Sequence, residues 1–330
     1  MTPRPDASAR RAIRGASGSA AGLEAVLPRP GAARPALLGR LLEDERSLAY
    51  LLLTPTIVLL ALFIAYPFVL GVWLSVSSAT VGVAGHFVGL KNFDKAWNDS
   101  IFRTAAFNTF LYTGVTTVFK LALGIWLAVL LNRHFRGKRL IRAFVLLPFI
   151  IPTVLSTFAW KWMYDPTFSV INWGLWKLDL ITTRINWLGD PYLSLISVMI
   201  VNVWRGVPFF AISLLAGLQT ISPELHEAAA IDGANAWQRF WRVTWPLLLP
   251  VTMVVVLFSV IQTFADFQLV YVLTGGGPAN ATHLFATYAY QIGVGTGLLS
   301  EGAAISLAMF PVLFLVVVLQ LWYIRRVETR

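Results

Sequence analysis

Three ionisable side chains interrupt long apolar runs of the sequence: Lys120, Arg205 and Asp266. A charged group inside a membrane is costly, so it usually faces the interior of a helix bundle or a water-filled cavity rather than lipid. Arg205 and Asp266 lie in successive apolar runs, which predicts that they face each other across a cavity and neutralise one another. Lys120 receives no assigned role, since it could extend to the membrane surface or pair with another chain.

Polar side chains accompany Asp266 at helical spacing. Ser259, Gln262 and Thr263 precede it at intervals of three, one and three residues, which place all four side chains on one face of a helix. An apolar helix with one such polar face is expected to turn that face toward a cavity. The segment therefore predicts one wall of a polar path across the membrane.

The residues around Arg205 predict a second wall. Gly206 and Pro208 follow it closely and predict a local break in the helix, because proline removes a backbone donor. Trp204 and Phe209 flank this break. Their rings could stack on a solute or pack between helices, and the sequence leaves both alternatives open.

A short helix is predicted between the fourth and fifth apolar runs. Ser222 suits the N-cap position and Pro223 the first helical position, while Gly233 suits the C-terminal end. Glu227 and the three alanines at 228–230 give this helix a small-faced surface with an acid beside it. Such a helix could enter a groove on another protein, or it could be half of an ordinary hairpin on the membrane surface.

No nucleotide-binding or metal-binding motif occurs in the sequence. The P-loop pattern G-x-x-x-x-G-K-[ST] is absent, since the Gly137-Lys138 pair is followed by Arg139. The four histidines show no metal-ligand spacing, and no paired carboxylates stand out. We therefore expect no catalytic residues, no metal ligands and no cofactor on this chain, and we do not expect an enzyme.

The elements that position these residues follow from composition. Hydrophobic residues make up 57% of the 330 residues and charged residues 13%, about half of the roughly 25% found in soluble domains. Six apolar runs approach the length of about 20 residues that a membrane helix needs. They span residues 48–75, 107–131, 143–160, 193–218, 247–273 and 303–324. The predicted fold is an all-α membrane protein with six transmembrane helices, the third kinked by Pro148 and Pro152.

Lysine and arginine set the orientation. Eighteen lie before the first run, after the second, after the fourth and at the C-terminus, against six in the alternate segments. The positive-inside rule then places both termini in the cytoplasm, beside anionic lipid. Because the positive charge is explained by topology, no nucleic-acid partner is expected. Residues 1–36 read as a disordered cytoplasmic tail, 37–330 as the six-span domain, and 37–47 as a short amphipathic helix at its start.

Several separated motifs resemble one family. The string EAAAID at 227–232 followed by Gly233 matches the EAA loop of ABC-importer permeases, here residues 219–247. The strings FVGLKNF at 87–93, NWLGDP at 186–191, LAGLQ at 215–219 and YVLTGGGPAN at 271–280 agree with its carbohydrate-uptake branch. From 48 to 326 the chain is similar to a MalF- or UgpA-type subunit, the permease of a binding-protein-dependent carbohydrate importer with the type I, MetI-like fold.

This resemblance implies a complex in the inner membrane of a bacterium or archaeon. Its other members would be a second permease, which makes a heterodimer, two ATPase subunits that hold ATP and Mg, and an external solute-binding protein. The substrate would be a sugar or sugar-like solute. The alternative is an ATP-independent carrier or channel for small polar solutes, although the inverted repeats usual in secondary carriers are not evident.

The resemblance also assigns residues. The positions implied to couple to the ATPase are Glu227, Ala228, Ala229, Asp232 and Gly233, although Asp232 could instead cap the following helix. The positions implied to line the substrate path are Trp204, Arg205, Gly206, Phe209, Ser259, Gln262, Thr263 and Asp266. Arg205 and Asp266 replace the uncharged residues that the maltose-type subunit has at these positions. A second option is therefore that Arg205 binds an anionic solute such as a sugar phosphate or sulfonate, although basic residues also occur here in neutral-sugar relatives.

Overall fold

The computed structural model describes residues 45–133 and 136–328. The predicted tail at 1–36 and most of the predicted amphipathic helix at 37–47 lie outside the described residues. Within them the chain is helical, with no strand and only two isolated bridges, Ser77 with Phe87 and Thr80 with Val83. The prediction of an all-α fold is confirmed.

Fourteen α-helices follow one another in the described residues. Three π-helical turns adjoin them, at Ala61–Ala65, Phe240–Thr244 and Gln291–Gly295. The helices are α1 (Glu45–Leu60), α2 (Tyr66–Ser75), α3 (Lys91–Asn98), α4 (Ser100–Asn132), α5 (Lys138–Ile150), α6 (Thr153–Met163), α7 (Val170–Lys177), α8 (Pro191–Gln219), α9 (Pro223–Ile231), α10 (Ala236–Arg239), α11 (Trp245–Phe264), α12 (Gln268–Leu273), α13 (Phe285–Tyr290) and α14 (Leu299–Glu328).

The described residues divide into two compact units, one that ends at Phe63 and one that begins at Ile64. In the described part of the first unit, α1 is largely apolar on every side from Leu48 onward. Its large apolar side chains from Tyr50 to Leu60 are 51–70% exposed. A helix that is apolar all round is stable only against lipid or another apolar surface.

The second unit contains most of the membrane-crossing helices. By length and composition five stretches of the described chain could each cross a bilayer, and the bent pair α5 and α6 makes a sixth when it counts as one span. The five are Leu48–Ser75, Ser100–Asn132, Pro191–Gln219, Ala236–Phe264 and Leu299–Tyr323. The prediction of six spans is confirmed on that count.

The third span is bent through 91° between α5 and α6. The break falls at Ile151 and Pro152, and Pro152 stands at the start of α6, whereas Pro148 remains inside α5. A proline at a helix start costs little, because the missing donor would be unsatisfied there anyway. The predicted kink is confirmed, and it brings the first turn of α6 toward α8.

Two predictions about helix continuity are wrong. Helix α8 runs unbroken from Pro191 to Gln219 and includes Pro208, so no break follows Arg205. Neighbouring helices tolerate a proline inside a membrane span. The fifth span instead ends at Phe264, and α12 starts at Gln268 after a turn. An apolar run carries no sign of this break, because the break depends on what packs around the turn.

Helices α4 and α8 pack along each other at the centre of the second unit. The inner face of α4 is polar at intervals of three and four residues, so its side chains point into the helix bundle. The buried polar members of this face are Asn108, Thr109, Tyr112, Thr113, Thr116, Thr117 and Lys120. Apolar clusters surround them at both ends.

The N-terminal end of α4 is held by Asp99. Its Oδ1 accepts from the Ile101 amide at 2.9 Å, which caps the helix, and its Oδ2 accepts from the Tyr288 hydroxyl. Burial, and next the hydrogen bond to Asp99, raise the pKa of Tyr288 well above its usual value. The phenol therefore stays protonated and keeps α13 attached to the start of α4.

Candidate functional site

A cavity of about 200 Å³ lies between α4, α5, α8 and α11. Six of the eight residues predicted for the substrate path line it, namely Arg205, Gly206, Phe209, Ser259, Gln262 and Thr263. The other lining residues are Lys120, Phe149, Asn202, Phe210 and Phe258. The cavity thus combines four phenylalanine rings with amide, hydroxyl and cationic groups.

The remaining two predicted residues lie elsewhere. Trp204 lines a separate apolar groove of about 710 Å³ and packs edge-on against Trp160, with ring centroids 5.5 Å apart. Its ring therefore serves interhelical packing. Asp266 lies behind the cavity wall, in the turn between α11 and α12, so the prediction that it shares one helical face with Ser259 is wrong.

Arg205 is half-buried and donates through Nη1 to the hydroxyl of Thr153, at the start of α6. The predicted ion pair between Arg205 and Asp266 does not form. Among the described residues Lys95 and Glu301 form a salt bridge, whereas Arg205 and Asp266 do not. The bend at Pro152 explains the difference, because it supplies Arg205 with a partner from α6.

Asp266 is bound by three donors from three helices. Its Oδ2 accepts from the Tyr112 hydroxyl at 2.8 Å and from Asn202 Nδ2 at 3.1 Å. Its Oδ1 accepts from the Leu269 amide at 3.4 Å, in the first turn of α12. The carboxylate is 8% exposed. It therefore joins α4, α8 and α12 at the break that follows α11.

Lys120 completes this network from α4. Its Nζ donates to Asn202 Oδ1 at 3.0 Å and to Thr263 Oγ1 at 2.7 Å, and the residue is 3% exposed. Gly206 makes room for it, since a Cβ added there would stand 2.3 Å from Lys120 Cδ. We call these residues (Tyr112, Lys120, Asn202, Thr263 and Asp266) the buried polar network.

Sequence reasoning missed Tyr112 and Asn202 and left Lys120 without a role. A signal was present in α4, where Asn108, Tyr112, Thr116 and Lys120 recur every four residues. That spacing places polar side chains on one helical face. Asn202 gave a weaker signal, as a single amide in an apolar run.

The predicted helix in the EAA loop forms as α9. Pro223 occupies its first turn, although the Ser222 side chain makes no capping bond. At the other end Gly233 has φ of +81°, a conformation that favours glycine. The Gly233 amide donates to the Ala230 carbonyl and the Ala234 amide to the Ala229 carbonyl, which together form a Schellman ending.

The side chains of α9 are largely exposed. Ile231 is 87% exposed, and Glu227, Ala228 and Asp232 are also exposed. Among the described residues, no hydrogen bond or ion pair is recorded for the Glu227 carboxylate. The alternative that Asp232 caps the next helix is wrong, because Asn235 does so: its Oδ1 accepts from the Gln238 amide at 2.9 Å.

No group of three or more potential metal-ligating side chains is brought together in the described ranges. The candidate site is thus a polar cavity within the membrane together with an exposed helix at one end of the bundle. The first can contact a solute and the second a protein.

Comparison with known proteins identifies the family. The family model of binding-protein-dependent transport system inner membrane components matches residues 120–329, more than half of the chain. The chain belongs to this family. It is therefore a multi-pass inner-membrane permease, which is a transporter component.

The match to two relatives covers nearly the whole length of each of them. This permease is 34% identical over 293 residues to the trehalose/maltose transport system permease protein MalF of Thermococcus litoralis, covering 88% of this chain and 98% of that protein. It is also 34% identical to the sulfoquinovosyl glycerol transport system permease protein SmoG of Agrobacterium fabrum, covering 85% and 91%.

A solved structure supports the fold. A chain of a bacterial ABC transporter involved in the import of the acidic polysaccharide alginate superposes with a TM-score of 0.75 at 24% identity, covering 84% of the permease and 95% of that chain. At this identity the likeness shows the fold alone. The expected MetI-like fold of ABC-importer permeases is confirmed.

Proposed function

We propose that this permease passes a sugar or sugar-like solute through the inner membrane, driven by separate ATPase subunits that hold ATP and Mg. An external solute-binding protein delivers the solute. Membership of the binding-protein-dependent family supports the delivery step. The named solutes of MalF and SmoG, which are a neutral sugar pair and a sulfonated glycoside, support the solute class.

The cavity suits such a solute. Phe149 and Phe209 stack with ring centroids 5.7 Å apart and offer an apolar wall to a sugar ring. Asn202, Arg205 and Gln262 offer donors and acceptors for its hydroxyl groups. A volume of about 200 Å³ is below the roughly 300–1,000 Å³ of complete ligand pockets. We infer that a second, similar permease supplies the opposite wall.

The proposal that transport is coupled to ATP hydrolysis rests on the exposed helix α9. It ends in a fixed Schellman turn, presents small alanine side chains and leaves Glu227 without a recorded partner within the described chain. A rigid, small-faced helix can enter a cleft of an ATPase closely and move with it. Glu227 then pairs with a basic group of that cleft, on the cytoplasmic side where both termini of the permease also lie.

The test is ATP-dependent uptake in proteoliposomes that contain the whole transporter, with Glu227→Ala compared with Glu224→Ala. Both acids lie on the exposed face of α9, but Glu224 lies outside the EAA string. Glu227→Ala should abolish uptake while the permease still inserts, and Glu224→Ala should retain uptake. Equal uptake by both variants would refute coupling through Glu227.

The ATP-independent carrier is tested in the same vesicles. Without ATP, the proposed importer should not equilibrate the solute across the membrane, whereas a carrier or channel would. The solute is found by screening the partner binding protein against mono- and disaccharides, polyols, sugar phosphates and sulfonated sugars. Binding of none of these would remove the sugar assignment.

A further inference from the structure

We propose that Lys120 is a positioning residue of the cavity, fixing Asn202 and Thr263 in its wall and offsetting the charge of Asp266. This inference deepens the proposed function and rests on it for the identity of the passing solute. It assigns a role to a lysine in the second span, on a helix that the predicted substrate path did not include.

The hydrogen bonds of Lys120 and Asp266 allow one orientation of the Asn202 side-chain amide. A lysine ammonium only donates and an ionised carboxylate only accepts. Asn202 must therefore turn its carbonyl oxygen to Lys120 Nζ, at 3.0 Å, and its amide nitrogen to Asp266 Oδ2, at 3.1 Å. The Asn202 side chain cannot flip without losing both bonds. The charged groups of Lys120 and Asp266 thus fix the position of the Asn202 side chain in the cavity wall.

Thr263 is fixed by the same ammonium. Its Oγ1 lies 2.7 Å from Lys120 Nζ, and both residues line the cavity. Asp266 and Tyr112 do not line it, although they are bonded to the network. Lys120 is thus the charged residue of the network that lines the cavity, and through Asn202 it is also connected to Asp266 behind the wall.

The network also sets the charge that the cavity presents. Asp266 keeps its carboxylate behind the wall, where Asn202 connects it to Lys120. Arg205 faces the cavity and is bonded only to the neutral hydroxyl of Thr153 in the described chain. The wall is therefore cationic, and it favours hydroxyl oxygens and anionic groups of a solute over cationic ones.

A thiol probe tests this without knowledge of the solute. The chain contains no cysteine, so Gln262→Cys creates a single reactive thiol in the cavity wall. An anionic sulfonatoethyl and a cationic trimethylammonioethyl methanethiosulfonate are compared on the assembled transporter in membranes. The anionic reagent should react faster relative to its rate with a free thiol, by about tenfold in a charged cleft.

Variants of Lys120 give the decisive comparison. The quantity compared is the rate of the anionic reagent divided by that of the cationic reagent, each taken relative to its rate with a free thiol. In the Gln262→Cys background, Lys120→Met should bring this ratio close to one, and Lys120→Arg should preserve most of the preference for the anionic reagent. Asp266→Asn combined with Lys120→Met should restore the protein level, because no buried acid then lacks a counter-charge. It should also bring the ratio back toward that of the Gln262→Cys parent, because Arg205 is again the uncompensated charge of the cavity. A ratio that Lys120→Met leaves unchanged would overturn the proposal.

Two controls separate this result from misfolding and from failure of the importer assignment. Val294→Cys places a thiol on an exposed turn away from the network, and its reagent ratio should not respond to Lys120→Met. Asn108→Leu removes another buried polar group of α4, one bonded to the Ala281 carbonyl at 2.7 Å, and should lower stability without changing the cavity ratio. The thiol readout needs no transport, so it stands if the solute proves not to be a sugar.

Discussion

The buried polar network and the exposed helix α9 are two polar regions of this permease, and they differ in where their partners lie. In the network, Lys120 and Asp266 are each bonded to groups of this same chain. On α9, Glu227 and Ile231 face outward, and Ile231 is 87% exposed. The network is completed by folding, whereas α9 presents a surface that assembly would complete.

This difference separates two kinds of mutational effect. A substitution in the network leaves buried donors or acceptors unpaired, which lowers stability of the isolated chain. A substitution on α9 changes little in the isolated chain and acts on what the helix contacts. Stability and uptake measured side by side therefore distinguish the two regions.

The largest effect on uptake is expected from Gly233→Val. A side chain at φ of +81° costs about 1–2 kcal/mol, more when it is β-branched, so the Schellman ending of α9 should change shape. ATP-driven uptake should be lost while membrane insertion persists. The matched control is Gly82→Val, because Gly82 has φ of +79° and equally open surroundings in the loop between α2 and α3. Loss of uptake in both variants would mean that backbone strain alone is responsible.

A large effect on stability is expected from Asp266→Asn. The amide that replaces the carboxylate has only one acceptor oxygen. If that oxygen accepts from Tyr112 and Asn202, the new NH2 group faces the Leu269 amide, which is also a donor. A buried donor is left unpaired in either orientation, at a cost of about 1–3 kcal/mol. Thermal unfolding in detergent should shift downward by several degrees. The control is Asp165→Asn in a less buried turn, where the acid accepts only from backbone amides. An equal shift in both would argue against a special network.

The same difference explains what the sequence could predict. Helix α9 is specified by neighbours in the chain, since Pro223 starts it and Gly233 ends it, and both were recognised. The choice between Asp232 and Asn235 as the next cap was also local. Asp232 is the C-cap of α9 within the Schellman turn, which leaves Asn235 free to start α10.

The network depends instead on residues far apart in the sequence. Lys120 meets Thr263 across 143 positions, and Tyr112 meets Asp266 across 154. Charge alone suggested Arg205 as the partner of Asp266, since both are ionisable and lie in successive spans. The bend at Pro152 gives Arg205 a partner on α6, and the break after Phe264 takes Asp266 off the helix that carries Thr263. An apolar run predicts neither the size of the bend nor the position of the break.

A smaller effect is expected from Asn235→Ala, which removes the reciprocal cap of α10. Loss of an N-cap costs about 1 kcal/mol, felt locally because the site is exposed. Hydrogen exchange of the Gln238 amide should speed up about fivefold, as this cost implies. Asp232→Ala should leave that exchange rate unchanged, and it should lower uptake if the proposed contact of α9 with an ATPase includes Asp232. Faster exchange in Asp232→Ala would restore Asp232 as the cap.

The smallest effect is expected for the exposed ion pair of Lys95 and Glu301, whose atoms lie 2.7 Å apart. This distance is as short as that between Lys120 and Thr263, but the two side chains are 55% and 27% exposed. Water and salt screen such a pair, so a double-mutant cycle of Lys95→Ala and Glu301→Ala should give a coupling energy of about 0–1 kcal/mol. Uptake should stay at the unmodified level, because neither residue lies in the cavity or on α9. A coupling energy as large as the loss in Asp266→Asn would mean that proximity of charges, and not burial, makes the network important.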